Sequence, residues 1–164
     1  MILPMIETTD ITKTICVTPA IMDENMEETI TTLIRQKYEK VCDEKDGLIL
    51  AINKITDIQN LISKDSCHIN VIVTMNVNRV RPQKGTVFKF QPTLIIEKGI
   101  FGKLHQSISL FIPETYLSPD WVYKNDTFIH SITKCVITKQ TDVAVSVTDM
   151  KFNSTKYNCI CKLL

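Results

Sequence analysis

The stretch RVRPQKGTVFKFQPTLIIEKGIFGKLHQSISLFIP, from Arg79 to Pro113, decides how the chain is read. Arg81-Pro82 pushes the backbone before the proline toward extended geometry. Lys84-Gly85 then opens a run of β-formers, and Gly99-Ile-Phe-Gly102 leads into a short apolar run that ends at Pro113. Lysines lie among phenylalanines throughout. This is the pattern of a small β-barrel with a face suited to a polyanion whose bases stack. What precedes it reads as a separate structural unit of opposite charge.

The charge division is measurable. Residues 1–78 carry 7 Lys/Arg and 12 Asp/Glu, a net of −5, whereas residues 79–164 carry 12 and 6, a net of +6; together they give the chain its +1. Such asymmetry makes the second half the candidate for nucleic acid. With 164 residues, 44% hydrophobic and 23% charged, the chain can build one ordinary core or two small ones. The six cysteines form no Cys-x-x-Cys pair and have no His at zinc spacing, so no metal and no cofactor is expected. All six are read as reduced thiols of an intracellular protein, mostly in the core, with Cys159 and Cys161 on one face of a strand. The first six residues are too short an apolar run for a signal peptide, and no stretch has the length of a membrane span. Four glycines beside abundant Ile, Thr, Lys and Asn point to an AT-rich genome, with a large DNA virus or an AT-rich cellular parasite as sources.

Outward from the opening stretch, residues 11–18 read as a strand broken by Thr18-Pro19. Met26, Ile30, Leu33, Ile34, Tyr38 and Val41 recur at helical spacing. Acids at Glu24, Glu27 and Glu28 and bases at Arg35, Lys37 and Lys40 suit the two ends of the helix dipole. The spacing predicts a helix over about 24–41. Asp46-Gly47 ends a charged turn. Leu48, Leu50 and Ile52 begin a strand expected to reach about Ile58, and 57–66 is read as a polar connection. His68–Val80 alternates clearly and is a strand. In the second half, strands are expected over 86–97 (interrupted at Pro92), 100–106, 108–113, 126–138, 143–150 and 156–164, with a connection over 114–125. The fold class is therefore α+β over residues 1–80, one helix on an antiparallel sheet, followed by an all-β OB-fold barrel over 81–164.

Three segments carry a resemblance. Gly85-Thr-Val-Phe, Lys98-Gly-Ile-Phe-Gly-Lys-Leu104 and Leu110-Phe-Ile-Pro113 resemble the first strands of nucleic-acid-binding OB domains. Arg81-Pro82 with Lys84-Gly85-Thr-Val is similar to the junction in stalk subunits of multisubunit DNA-dependent RNA polymerases. That family comprises the seventh subunit of RNA polymerase II and its archaeal counterpart. The order of elements before it resembles that family's N-terminal tip domain, with Gly47-Leu-Ile-Leu-Ala-Ile52 as its first long strand. The resemblance covers about residues 11–163. It implies a non-catalytic subunit that docks on the large polymerase core subunits through its tip and meets nascent single-stranded RNA through its barrel. It also implies a fourth-subunit-like stalk partner, and a nuclear location or, for a virus, a cytoplasmic factory and the virion.

The candidate RNA contacts are Lys84, Lys89, Lys98, Phe101, Lys103 and His105, with Phe88 and Phe90 favoured as core. The candidate docking residues are Asp43, Glu44, Lys45, Asp46 and Gly47, a turn expected opposite the barrel, with Asp57 and Lys64 in a second loop. Two positions depart from the OB pattern. Lys98 and Ile112 stand where an aromatic residue and a histidine are common, so RNA would be held mainly by charge. The alternatives are a free-standing OB-fold RNA-binding factor in translation or RNA decay, and a structural adaptor without RNA contact. No catalytic constellation is visible, and the chain is not read as an enzyme.

Overall fold

The computed structural model describes residues 6–21, 25–62 and 68–164. These fall into two compact units, 6–81 and 82–164. With the division there, Arg79 and Arg81 belong to the first unit. Residues 1–81 then hold 9 basic and 12 acidic side chains, a net of −3, and residues 82–164 hold 10 and 6, a net of +4.

The first unit is a four-stranded antiparallel sheet with one helix. Its strands are β1 (Glu7–Val17), β2 (Cys42–Asp43), β3 (Gly47–Ile62) and β4 (Ile69–Val80), in the order β1-β4-β3-β2. Helix α1 spans Met26–Tyr38, with Glu27 and Glu28 in its first turn and Arg35 and Lys37 in its last. It is shorter than the sequence periodicity suggests. Lys40 takes φ 63, which a helix cannot continue, and Val41 is exposed. Ile30 and Ile34 are buried, and Met26, Leu33 and Tyr38 pack beside them. They meet Ile11, Ile15 and Val17 of β1 and Val71, Val73, Met75 and Val77 of β4.

Strand β3 departs most from expectation. It runs on to Ile62, so Asp57 lies inside it, opposite Thr74, and not in a loop. Lys64 lies outside the described residues. Register shifts between Ile49/Ala51, Ile52/Lys54 and Ile55/Asp57 insert an extra residue each time. The core-facing residues are consequently Ile49, Ile52, Ile55 and Ile58. That spacing is three, not the two of a flat strand, because each bulge uses one residue and adds twist.

The second unit is a closed barrel. Its strands are β5 (Val87–Phe90), β6 (Pro92–Ile96), β7 (Gly99–His105), β8 (Ile108–Pro113), β12 (Val143–Asn153) and β13 (Lys156–Leu163). The sheet order is β5-β12-β13-β8-β7-β6. Strands β5 and β6 occupy its two ends, yet only Gln91 separates them in the chain. One bent strand thus serves both edges and closes the sheet. The barrel counts five strands, with β8 and β13 paired in parallel and the other pairs antiparallel. This is OB-type architecture. Pro92, which cannot donate to a ladder, sits where a register shift follows it.

The barrel interior holds Phe88, Phe90, Ile95, Ile100, Ile108, Leu110, Ile112, Val143, Val145, Val147, Tyr157, Cys159 and Cys161. Gly102 is required there, because a Cβ at this position would collide with the Phe90 ring. Burial pushes the Cys159 thiol up to about 12 and Cys161 to about 11. Both are inert packing groups, as is Cys42. Cys16 and Cys135, in contrast, are exposed.

Between β8 and β12 the chain forms a small antiparallel sheet. Strands β9 (Trp121–Lys124), β10 (Thr127–His130) and β11 (Val136–Ile137) follow a 3-10 turn at Glu114–Tyr116. This replaces both the connection and the single strand expected over 114–138. Asn125 and Asp126 both have positive φ, 49 and 57. A two-residue turn of that kind joins β9 to β10, so no strand can pass through Asp126.

Candidate nucleic-acid interface

The outer face of the barrel presents two parallel rows of side chains. The first crosses the strands in register: Leu94 opposite Phe101, Phe101 opposite Phe111, Phe111 opposite Ile160, and Ile160 opposite Asp149. The second lies two residues along each strand: Lys103 opposite Ser109, Ser109 opposite Asn158, and Asn158 opposite Lys151. Alternation places both rows outward, since Ile100, Ile108, Leu110, Ile112, Cys159 and Cys161 take the inward positions. Leu94 is 47% and Ile160 37% exposed. The Phe101 and Phe111 rings stack at 4.2 Å with a 20° interplanar angle.

A bulge completes this face. Val143, Val145 and Val147 point inward on β12, and the register then shifts between Val147 and Asp149. The extra residue, Thr148, donates its hydroxyl to the Ile160 carbonyl at 3.0 Å. Beyond it the parity is reversed, so Asp149 and Lys151 point outward. The two rows border a groove of about 490 Å³ whose lining includes Phe101, Lys103, Phe111, Asp149, Lys151 and Asn158. Asp149 accepts the Met150 N–H at 2.9 Å and lies 3.6 Å from the Lys84 ammonium.

Chemically, the groove offers an aromatic surface beside a row of donors. Stacked rings take a base face and lysines take phosphate, the two elements of single-strand binding. Of the six residues expected from the sequence, Phe101 and Lys103 line the groove and Lys84 borders it through Asp149. Lys89, on β5, and Lys98, in the turn before Gly99, are exposed but do not line it. His105 is displaced by a register shift after Lys103 and pairs with Ile108. Its Nδ1 accepts the Ser107 N–H at 3.2 Å, so it braces the β7–β8 turn. Sequence reasoning missed Phe111, Ile160, Asn158 and Lys151. Strict parity on β8 and β13 identifies Phe111, Asn158 and Ile160, whereas Lys151 depends on the bulge. Lys98 is exposed in the turn before Gly99, and Ile112 is core. The outward-facing ring on this strand is Phe111, one residue before Ile112, packed against Phe101.

The acidic turn of the first unit is built differently. Because Gly47 starts β3 and Leu48 pairs with Val80, Asp43–Gly47 stands at the end of the sheet from which the chain leaves for the barrel. It is not at the far end, where β3 runs toward β4. Gly47 has φ 79, and a Cβ there would stand 2.5 Å from the Val80 carbonyl. Asp46 is buried and lies against both Lys13 and Arg79, and Asp43 accepts from Lys13 at 2.8 Å. Burial acts to raise the Asp43 carboxyl, but the Lys13 hydrogen bond, the Asp46 N–H and the Lys13 charge outweigh it and hold it below the ordinary value. Burial likewise acts to lower Lys13, and its two carboxylate partners raise it on balance. Asp43 and Asp46 therefore close an internal ion cluster. Glu44 and Lys45 are the exposed members of the turn.

Residues 12–69 match the family model described as the SHS2 domain found in the N terminus of Rpb7p/Rpc25p/MJ0397. The match runs from β1 to the first residue of β4 and so takes in the helix and most of the first sheet. No curated protein matches the chain.

Proposed function

We propose that this chain is a non-catalytic stalk subunit of a DNA-dependent RNA polymerase. Its first unit docks on the large core subunits and its barrel contacts nascent RNA during transcription. The observation that carries this reading is the order of units. A segment similar to the SHS2 domain of Rpb7-type proteins is followed, with Arg81-Pro82 as the junction, by a basic barrel of OB architecture. The groove over Phe101 and Phe111 supports the RNA contact, since aromatic stacking beside lysines is sequence-tolerant and fits a transcript of any sequence. Docking uses exposed groups of the first unit, Glu44 and Lys45 among them, while Asp43 and Asp46 hold the turn in shape. A fourth-subunit-like partner completes the stalk.

Affinity purification of the tagged full chain from its own cells or infected cells tests the reading. The two largest polymerase subunits are expected to co-purify in stoichiometric amounts and to stay bound through a salt wash. Recovery of the chain without them overturns the assignment and leaves a free-standing RNA-binding factor as the better reading.

A further inference from the structure

We infer that Asp149 reads the ribose 2′-hydroxyl of a nucleotide stacked in the barrel groove and so makes the groove selective for RNA over DNA. The inference rests on the RNA contact proposed above and names what discriminates within it.

Asp149 is an acid where acids are out of place. It ends the apolar row Leu94–Phe101–Phe111–Ile160 on the face that also carries Lys103 and Lys151. A carboxylate repels phosphate, so a bound strand must put something else there. It also accepts hydrogen bonds and donates none, so that group must be a donor. Its place is not incidental: the Thr148 bulge turns it outward, the Met150 N–H fixes Oδ1, and Lys84 stands beside it. The side chain keeps 64% exposure, so it can still accept from a ligand.

Spacing selects the sugar. Adjacent strands lie about 4.8 Å apart, so Asp149 stands roughly 10 Å from Phe111 across β13. A base over the Phe101–Phe111 pair then sets its ribose over Ile160, with the 2′-hydroxyl on the Asp149 side. The row of Lys103, Ser109, Asn158 and Lys151 lies two residues along the strands, roughly 7 Å away, and takes the phosphates. The 2′-hydroxyl is the one donor that RNA has and DNA lacks at this position.

The test uses the full-length chain and fluorescently labelled oligo(U) and oligo(dU) of equal length. These differ only in the 2′-hydroxyl, so base donors cancel. Wild type is expected to bind oligo(U) roughly tenfold more tightly, the worth of one hydrogen bond to a charged group. Asp149→Ala should bring the ratio to about one, and Asp149→Asn, which keeps a neutral acceptor, to an intermediate value. Lys103→Ala should weaken both oligonucleotides by the same factor and leave the ratio as in wild type. A wild-type ratio of one, or a ratio unchanged in Asp149→Ala, overturns the role of Asp149 while leaving RNA binding intact. Binding of neither oligonucleotide overturns the RNA reading of the barrel, and the inference with it.

Discussion

The two units use the same backbone device for opposite ends. In the first, three bulges in β3 hold Ile49, Ile52, Ile55 and Ile58 toward the helix. The charged groups near that face, Lys13, Arg79, Asp43 and Asp46, satisfy one another. In the barrel, one bulge on β12 turns Asp149 and Lys151 out of the wall and onto the surface. Irregularity in the first unit serves packing, and in the second it serves surface chemistry. Formal charge therefore misleads for the first unit, because part of its acidity is neutralised inside. The barrel's lysines Lys84, Lys103 and Lys151 lie exposed on its outer surface.

The contrast breaks most sharply with substitutions of similar size in the two settings. Phe88→Ala, at 1% exposure, should destabilise the barrel by about 3–5 kcal/mol through the cavity it leaves. Asp46→Ala removes the buried carboxylate that Lys13 and Arg79 share, leaving Lys13 on Asp43 and Arg79 on Glu7, and should cost about 1–3 kcal/mol. Urea unfolding of the full chain would show it as early loss of the first unit. Phe101→Ala or Phe111→Ala should leave the barrel folded and weaken single-stranded RNA binding by about 1–3 kcal/mol, the worth of one stacked base. Equal loss of fold from Phe101→Ala and Phe88→Ala would erase the distinction between wall and groove.

Smaller effects sharpen it. Replacing Lys103 and Lys151 together with Ala should reduce the slope of log affinity against log salt by about 0.7 for each phosphate no longer neutralised, read by titration at several salt concentrations. The internal ion cluster has its own pH signature. Asp43 titrates below its ordinary value when folded, so its contribution is complete above pH 3.8 and is lost as pH falls through the lower folded value. Lys13 titrates above 10.5 when folded, so its contribution is complete below that pH and is lost as pH rises through the higher value. Thermal melts of the full chain should show the first unit losing stability at both extremes, and Asp43→Ala, which removes the shifted acid and one carboxylate partner of Lys13, should blunt both losses.

Much of this was legible in the sequence because local pattern and tertiary environment agreed. Helix α1, strand β4 and the strand Ile108–Pro113 follow hydrophobic period alone. What was hidden is what period alone misassigns. The three bulges of β3 replace alternation with a spacing of three, which placed Asp57 in a loop it does not occupy. The β9–β11 sheet depends on positive φ at Asn125 and Asp126, residues that tolerate it without announcing it. The groove was half visible: Phe101 and Lys103 sit in the quoted stretch, but their partners lie on β8, β12 and β13. Only the long-range pairing of β7 with β8, β8 with β13 and β13 with β12 brings Asp149, Lys151 and Asn158 beside them. The ion cluster was missed because Asp43 and Asp46 share a segment with exposed Glu44 and Lys45, and nothing local distinguishes buried acids from solvated ones.

The division of labour between the units is tested most directly by ultraviolet crosslinking of nascent transcripts in stalled elongation complexes that contain the full chain, with crosslinked peptides identified by mass spectrometry. The account predicts RNA adducts in peptides covering 99–111 and 149–160 and none in 6–62. Adducts confined to 6–62, or none in the barrel while other polymerase subunits crosslink, would contradict it.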